Sequence, residues 1–430
     1  MLRVAAAADA IPAFEPLAFP PEVEEGVRDI CRRVREEGDA ALVELTRRFD
    51  GADVAGRIRV AEEEFDRAAT ELDPGLASAL AGLAGRLGDL HGRQLPRPWS
   101  AEAGGVRFGE VVRPVAAAGA YAPGGRASYP STVLMTTVPA RVAGVERVVV
   151  CTPPSADGSV AAPILVAARM AGVDAVYRVG GAQAVAAMAY GTETVPRVDT
   201  IVGPGNVWVT AAKREVAGTV GIDGLAGPTE LVIVADGSAD PAVLAADLVA
   251  QAEHDPLARV TLVCLDPSLV APVDRALELD VAASPRREVV EASLRHAVAI
   301  VAETDADAAG IVDRMAPEHL QVVTRDAGRF LDLVRSYGAA FLGPLTPVAF
   351  GDYGVGSNHV LPTMRTARFA SGLRAADFVT VSSVVEATAE GLEAFGPEIQ
   401  SLALAEGLPG HAAAVQARRA RQGPDGPPTS

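Results

Sequence analysis

The sequence predicts an α/β protein built on two parallel-sheet units, with helices leading into them and a helical tail following. Three observations carry that expectation. Short apolar runs alternate with helix-length segments twice over, from Val145 to Val216 and from Leu231 to Leu342. Such alternation closes into parallel sheets through right-handed crossovers. Before it, residues 21–50 and 61–95 carry apolar residues at helical spacing with charges between them, the mark of a solvated helical layer. Finally, 430 residues with 49% hydrophobic and 22% charged content make a chain long enough for more than one core and too apolar to be disordered.

Taken in order, Val23, Val27, Ile30, Cys31 and Val34, then Leu42, Leu45 and Phe49, mark the inner face of the first helices. His91, beside Gly92 and Arg93 with no partner motif, reads as a surface helix histidine. From Val106 the texture changes to short apolar runs ending in Gly and Pro. Ala120 to Thr132 reads as a loop whose Gly124–Gly125 pair either lets backbone approach a ligand closely or simply makes a turn. Val145–Cys151, Ala175–Val179 and Thr200–Val202 are expected strands, with helices over 159–171, Ala182–Ala189 and Val207–Val216. Small-residue loops follow two of the strands, Gly180-Gly181-Ala182-Gln183 and Gly203-Pro204-Gly205-Asn206, where the ligand crevice of an open α/β sheet lies. The second series places strands at Leu231–Ala235, Val260–Leu265, Ala297–Ala302, Leu320–Thr324 and Ala339–Leu342. Helices are expected near 240–252, 268–279, 286–296, 305–315 and 326–336. His296, at a helix end, reads as structural. The tail reads as an extended stretch to Val381, then helical over 384–405 and 410–420, with a Gly- and Pro-rich end from Gln422.

A net charge of −17 argues against nucleic acid or anionic membrane as partner, because both reward clusters of Lys and Arg. A small-molecule substrate is expected instead. Cys31, Cys151 and Cys264 are odd in number and widely spaced, which fits neither a disulfide framework nor a thiolate zinc site and suits a reducing cytoplasm. The Ala-rich stretch from Val4 to Ala8 is broken by Asp9 and preceded by a lone Arg3, a poor match to a signal peptide, and no window reaches 18 uncharged apolar residues.

The chemistry gathers around histidines. Gln251 and His254 are three apart at the end of a helical run, so their side chains share a face and could meet one ion; as a bland alternative, Gln251 is solvated and His254 is a helix-end histidine. His319 stands in Pro317-Glu318-His319-Leu320, Asp352 and His359 share the Gly-rich loop 351–359, and His411 follows Glu406-Gly407-Leu408-Pro409-Gly410. Imidazole, carboxylate and amide ligands together suit a borderline ion such as Zn²⁺. No G-x-G-x-x-G, P-loop, H-E-x-x-H or G-x-S-x-G occurs, so spacing alone reaches only a metal-dependent α/β enzyme.

These segments carry a resemblance. Tyr121-Ala-Pro-Gly-Gly125, Ser131-Thr-Val-Leu-Met135, Gly180-Gly-Ala-Gln-Ala184, Gly203-Pro-Gly-Asn206, Ala226-Gly-Pro-Thr-Glu230, Gln251-Ala-Glu-His254, Pro317-Glu-His-Leu320, Gly351-Asp-Tyr353 with Asn358-His-Val-Leu-Pro362, and Glu406-Gly-Leu408 with His411 follow one another from roughly residue 20 to 420. Together they resemble the histidinol dehydrogenase family. The resemblance implies two incomplete Rossmann-like units: an N-terminal arm 1–20, a discontinuous first unit 21–119 and 230–365 with its helical layer, a second unit 120–229, and a tail 366–430 exchanged between the subunits of a homodimer.

The resemblance further implies an NAD-dependent enzyme with one zinc per subunit, oxidising L-histidinol through L-histidinal to L-histidine at the end of histidine biosynthesis. Carried over residue by residue, zinc would be held by Gln251, His254, Asp352 and His411, with Glu318 and His319 as the acid/base pair. Substrate would meet Ser131, Thr229, Gln251, His254, His319, Asp352, His359, Glu406 and His411, while NAD would touch Tyr121, Gln183 and Asn206. The sequence departs from the family at Thr229, where Ser is usual and the hydroxyl is kept, in the loop Arg126–Pro130, and at Asp377-Phe378-Val379-Thr380, which lacks the usual basic residues. Two alternatives stand beside this reading: a paralogue oxidising another polyol or amino alcohol, such as a sulfonated diol, which retained Glu406 and His359 disfavour; and a non-catalytic metal-binding protein on the same fold, which would have lost one of Glu318, His319 or the four ligands.

Overall fold

The computed structural model describes residues 1–7, 11, 17–124 and 128–421. Asp9, Arg126, Ala127 and the Gly- and Pro-rich end from Gln422 therefore lie outside the described residues. The chain divides into two compact units, one of residues 1–94 and 115–378, the other of 95–114 and 379–430.

The larger unit holds two wholly parallel sheets. One has six strands in the order Arg3–Val4, Val298–Val301, Arg259–Cys264, Glu230–Ala235, His319–Val323 and Ala339–Leu342. Residues 231–235 and 260–264 are buried without alternation, as expected of strands covered by helices on both faces. The other sheet has five strands, Ala175–Arg178, Arg147–Thr152, Ala117–Tyr121, Thr200–Val202 and Gly221–Ile222. Its central strand, Ala-Ala-Gly-Ala-Tyr, is too rich in Ala and Gly for sequence to suggest a strand, and the expectation of a loop from Ala120 missed its end. Small residues are required there: a Cβ on Gly119 would come within 2.5 Å of the Met188 sulfur.

The helical layer packs on this five-stranded sheet. Helices Pro21–Glu37 and Asp39–Asp50 bury Val23, Val27, Ile30, Val34, Leu42 and Leu45 in one core with Tyr177 and Met188. Helices Glu62–Glu71 and Pro74–Gly92 place Phe65, Leu80, Leu83 and Leu87 in another core with Val133, Leu134 and Met135. The helix expected over 326–336 spans only Ala327–Leu331, because Asp313 accepts the amides of Arg335 at 2.7 Å and Ser336 at 3.0 Å and so diverts the chain.

Arg178 pins this layer to the sheet. Its side chain is 2% exposed; its guanidinium donates to the carbonyls of Gly158, Arg57 and Arg59 at 2.8, 2.7 and 3.0 Å and pairs with Glu64. Removing one partner of a buried, hydrogen-bonded pair costs about 3–5 kcal/mol, so Arg178→Ala is expected to lower unfolding free energy by that order in urea titrations. A loss below about 1 kcal/mol would mean that the pair is no anchor.

The smaller unit contains an antiparallel sheet of Val379–Ala387, Val106–Pro114 and Trp99–Ala103, followed by the helices Ala389–Ala405 and Pro409–Arg421. Residues 384–387, expected to open a helix, instead continue the strand opposite 106–109, and the helix begins only after Thr388, whose hydroxyl caps it at the Gly391 amide. Among the described residues, no helix is long and apolar enough to cross a membrane.

Candidate active site

Glu318 and His319 sit where the helix Asp305–Met315 hands over to the strand His319–Val323. The helix ends on Ala316 in a left-handed conformation (φ 41°), uncommon for a residue with a Cβ, and Pro317 then commits the chain to an extended path. Glu318 is thereby turned inward. One carboxylate oxygen accepts the Thr229 hydroxyl and, at 3.0 Å, the Glu230 amide. Burial pushes its carboxyl up to about 7, against the opposing pull of those two hydrogen bonds.

His319, 3% exposed, lies with Nδ1 3.1 Å from the Glu230 carbonyl oxygen. A carbonyl only accepts, so Nδ1 carries the proton and Nε2 is left with its lone pair. Burial also lowers the pKa of the imidazole, so the ring is neutral at pH 7. Glu318 stands 3.6 Å from Nδ1, while Asp352 stands 3.9 Å from Nε2. One face of the ring is thus fixed by the protein and the other presents a base.

Further expected residues extend this group. The Gln251 amide, 2% exposed in the last turn of the helix Pro241–Ala252, donates to the Thr229 hydroxyl at 2.5 Å, which completes a relay from Gln251 through Thr229 to Glu318. With Nε2 so used, the carbonyl oxygen of Gln251 is the atom left for a ligand. His254 follows just past the helix end and is exposed, and its charge is felt at both Glu318 and His319. A buried bond from Gln321 to Asp247 at 2.6 Å ties the strand of His319 to the helix of Gln251.

Asp352 ends the short helix Ala349–Asp352, and its carbonyl oxygen lies 3.0 Å from His359 Nδ1. The other nitrogen of His359 lies 3.1 Å from the Thr132 hydroxyl. Burial pushes this imidazole down to about 4. The loop carrying both residues leans on the helix Pro74–Gly92. Arg86 of that helix donates to the Gly354 and Tyr353 carbonyls at 3.3 and 3.2 Å. Asn358 donates to the Met135 carbonyl at 2.7 Å and lies 3.1 Å from His91 Nε2. His91 is therefore not the surface histidine that the sequence suggested: it is fully buried, with Nδ1 2.7 Å from the Gln94 side-chain oxygen, and it supports the loop.

Tyr121, Gln183 and Asn206 gather at the carboxyl edge of the five-stranded sheet. The Tyr121 hydroxyl accepts the Gly181 amide at 3.3 Å, and burial pushes the phenol up to about 12. Gln183 is buried in the first turn of the helix Gly181–Tyr190. Asn206 caps the helix Val207–Val216. Its loop is bolted from beneath: Lys213, buried, donates to the Gly203 carbonyl at 2.5 Å and pairs with Asp223, which also accepts the Gly203 amide at 2.7 Å.

With this geometry in hand, the comparisons with known proteins point one way. A family model described as histidinol dehydrogenase matches residues 18–419. The chain belongs to the histidinol dehydrogenase family. It is 48% identical over 399 residues to the histidinol dehydrogenase of a Synechococcus species, covering 92% of each chain, and 47% identical over 426 residues to that of Rhodospirillum rubrum, covering 97% of this chain and 98% of that one. Its fold matches the crystal structure of histidinol dehydrogenase from Elizabethkingia anophelis with a TM-score of 0.92 at 33% identity, over 96% of this chain and 95% of that one. As a member of this family the protein is an oxidoreductase of histidine biosynthesis.

Not every expected residue joins the group. Ser131 is half-buried in the first turn of the helix Pro130–Val142, and its neighbour Thr132, which sequence reading passed over, is the residue that meets His359. Glu406 and His411 belong to the smaller unit, at the end of one helix and the start of the next, and both are exposed. Among the described residues, no three His, Cys, Asp or Glu side chains form a group that could hold a metal ion. Of the expected ligands the larger unit carries His254, Asp352 and the Gln251 carbonyl oxygen. That set of nitrogen and oxygen donors fits a borderline cation in kind, and is short of one ligand in number. Glu230 is a second residue missed: burial, then the charge of Glu318, pushes its carboxyl up to about 7.

Proposed function

We propose that the protein oxidises L-histidinol to L-histidinal and then to L-histidine, with NAD as hydride acceptor in both steps, in a zinc-dependent site of a homodimer. The observation that carries this reading is the His319 tautomer: with Nδ1 held at the Glu230 carbonyl, Nε2 keeps its lone pair as a neutral base, while Glu318, 3.6 Å from Nδ1, titrates near neutrality.

His319 Nε2 takes the proton of the substrate hydroxyl as hydride leaves the carbinol carbon. The aldehyde must then gain water. Glu318, ionised above about pH 7, takes a proton from that water as its oxygen bonds to the aldehyde carbon, while protonated His319 returns its proton to the aldehyde oxygen, giving a neutral hydrated aldehyde. His319, having released its first proton, takes one from the hydrate as the second hydride departs and the carboxylic acid forms. Two hydrides and one water account for the four-electron change. Thr229 and Gln251 hold Glu318 in place through the relay described above. Ser131, His359, Glu406 and His411, with Gln251, His254 and Asp352, are assigned to the substrate's imidazole, amine and hydroxyl.

Gln251, His254, Asp352 and His411 would hold zinc, which when bound would orient the substrate by accepting its imidazole and amine as ligands, an entropic contribution. Tyr121, Gln183 and Asn206 would receive NAD at the sheet's carboxyl edge, the usual place for ligands on such sheets. A homodimer is supported by the exposed apolar side chains Val381, Val384, Val385, Leu402 and Leu404 of the smaller unit, which a partner subunit would cover. Three buried, unpaired cysteines suit a cytoplasmic setting.

The test is NADH formation on adding L-histidinol, with and without a chelator. Two NADH per histidinol, lost with chelator and restored by Zn²⁺, are expected. One NADH per histidinol would remove the second oxidation, and indifference to chelator would remove the metal.

A further inference from the structure

Asp50 ends the helix Asp39–Asp50 and has no role in the chemistry above. Its carboxylate nevertheless sits in an unusual place. Oδ2 is buried with no hydrogen-bond partner, and no described residue donates to Oδ1 either. Oδ1 stands 3.4 Å from where a Cβ on Gly180 would lie. The next amide along, that of Gly181, donates to the Tyr121 hydroxyl at 3.3 Å. Asp50 and Tyr121 therefore lie against the same Gly180–Gly181 turn, at the carboxyl edge of the five-stranded sheet, and the charge of Asp50 is felt at the phenol. Burial pushes the Asp50 carboxyl up to about 6, so at neutral pH it is still ionised.

A half-buried, ionised carboxylate without donors is costly unless something supplies them. Glutamate or aspartate at a sheet's carboxyl edge answers that need in dinucleotide sites by accepting from a ribose hydroxyl. We propose that Asp50 is a specificity-determining residue of the cofactor site, accepting hydrogen bonds from the free hydroxyls of the adenosine ribose and excluding a dinucleotide that carries a 2′-phosphate there. The proposal rests on the reading of Tyr121 and Gln183 as cofactor residues. Its physical basis is twofold. The hydroxyls satisfy Oδ1, the oxygen that is not closed off and that no described residue donates to, and a 2′-phosphate would bring about two negative charges against it. No Arg or Lys donates to Asp50 among the described residues, so nothing there offsets that repulsion.

The experiment compares the unaltered full-length protein with Asp50→Asn and Asp50→Ala, measuring kcat and KM for NAD and for NADP with saturating L-histidinol, together with 2′-deoxy-NAD. The unaltered protein is expected to prefer NAD over NADP by at least about a hundredfold. Each variant is expected to raise KM for NAD by about tenfold or more, the worth of a hydrogen bond to a charged group, with kcat within about twofold. The preference over NADP should shrink by a similar factor. 2′-Deoxy-NAD should be a poor substrate for the unaltered protein and no worse than NAD for the variants, a coupling that a general loss of fold would not produce. Thermal unfolding of Asp50→Asn provides a second reading: a bare carboxylate contributes nothing to the fold, so Tm should not fall. Unchanged KM for NAD with an unchanged NAD to NADP ratio would overturn the assignment, as would a fall in Tm without loss of discrimination. If the unaltered protein reduces neither dinucleotide, the cofactor reading itself is wrong, and Asp50's role falls with it.

Discussion

A randomly exchanged mixture of a His254→Ala chain and a His411→Ala chain is expected to regain about a quarter of the unaltered activity, although each variant alone is inactive. The expectation follows from where the two histidines stand. His254 lies in the larger unit, close enough for its charge to be felt at Glu318 and His319, while His411 stands on the helix Pro409–Arg421 of the smaller unit. Of the four assigned ligands the larger unit carries three, Gln251, His254 and Asp352, one short of a tetrahedral set. If the missing imidazole comes from the partner, a heterodimer contains one site in which both histidines survive and one in which both are lost. Random exchange makes half of the dimers mixed, each with half of its sites intact. If instead each chain completes its own site, both sites of the heterodimer are dead. Native mass spectrometry of the mixture verifies exchange, and exchanged dimers without activity would refute the shared site. Zinc content should follow the same arithmetic, which separates a lost ligand from a lost proton carrier.

The sequence made some elements legible and hid others for identifiable reasons. Thr200–Val202, Val207–Val216, Asp305–Met315 and Ala339–Leu342 appear with the bounds that periodicity and flanking turn residues suggest, because each buries a regular set of positions. Ala117–Tyr121 was obscured by composition: a strand of Ala and Gly has no β-branched signal, and only the Met188 side chain above it explains why nothing larger fits. The antiparallel sheet was hidden because Val379–Ala387 is exposed on both faces, so no alternation of buried and solvated residues marks it. The site divides in the same way. Glu318 and His319 are adjacent and Gln251 and His254 are three apart, so local spacing reveals them. The relay itself joins Thr229 to Glu318 across 89 residues and to Gln251 across 22, which no local pattern encodes. His91 was misread for the same cause, since Asn358, 267 residues away, is what gives it a place in the interior.

Glu318→Gln is expected to spare oxidation of histidinol to the aldehyde while slowing oxidation of the aldehyde by about 10²–10⁴, whereas His319→Asn slows both by that order. The division rests on what each group can reach. His319 has one nitrogen committed to the Glu230 carbonyl and one open, and a proton must leave the substrate oxygen in each hydride transfer. Glu318 is needed only where water is added. The glutamine keeps the volume of Glu318 and its carbonyl can still accept from Thr229 or Glu230, so the pocket should hold its shape while the base is lost. Neither residue is an assigned ligand, so zinc content should stay at that of the unaltered protein in both variants. The pH dependence supplies a separate reading with a definite sign. Because burial raises the Glu318 carboxyl to about 7, the carboxylate that activates water is present above that pH and is lost by protonation below it. Aldehyde oxidation should therefore fall tenfold per pH unit below about 7 and level off above it, and the break should vanish in Glu318→Gln. NADH formation from histidinol and, separately, from histidinal across pH 6 to 10 measures both steps. Equal slowing of the two steps by Glu318→Gln would sink the division of labour; loss of zinc in either variant would make the effect structural, and a break near 7 that survives Glu318→Gln would assign it to another group, with Glu230, also raised to about 7, the first to examine.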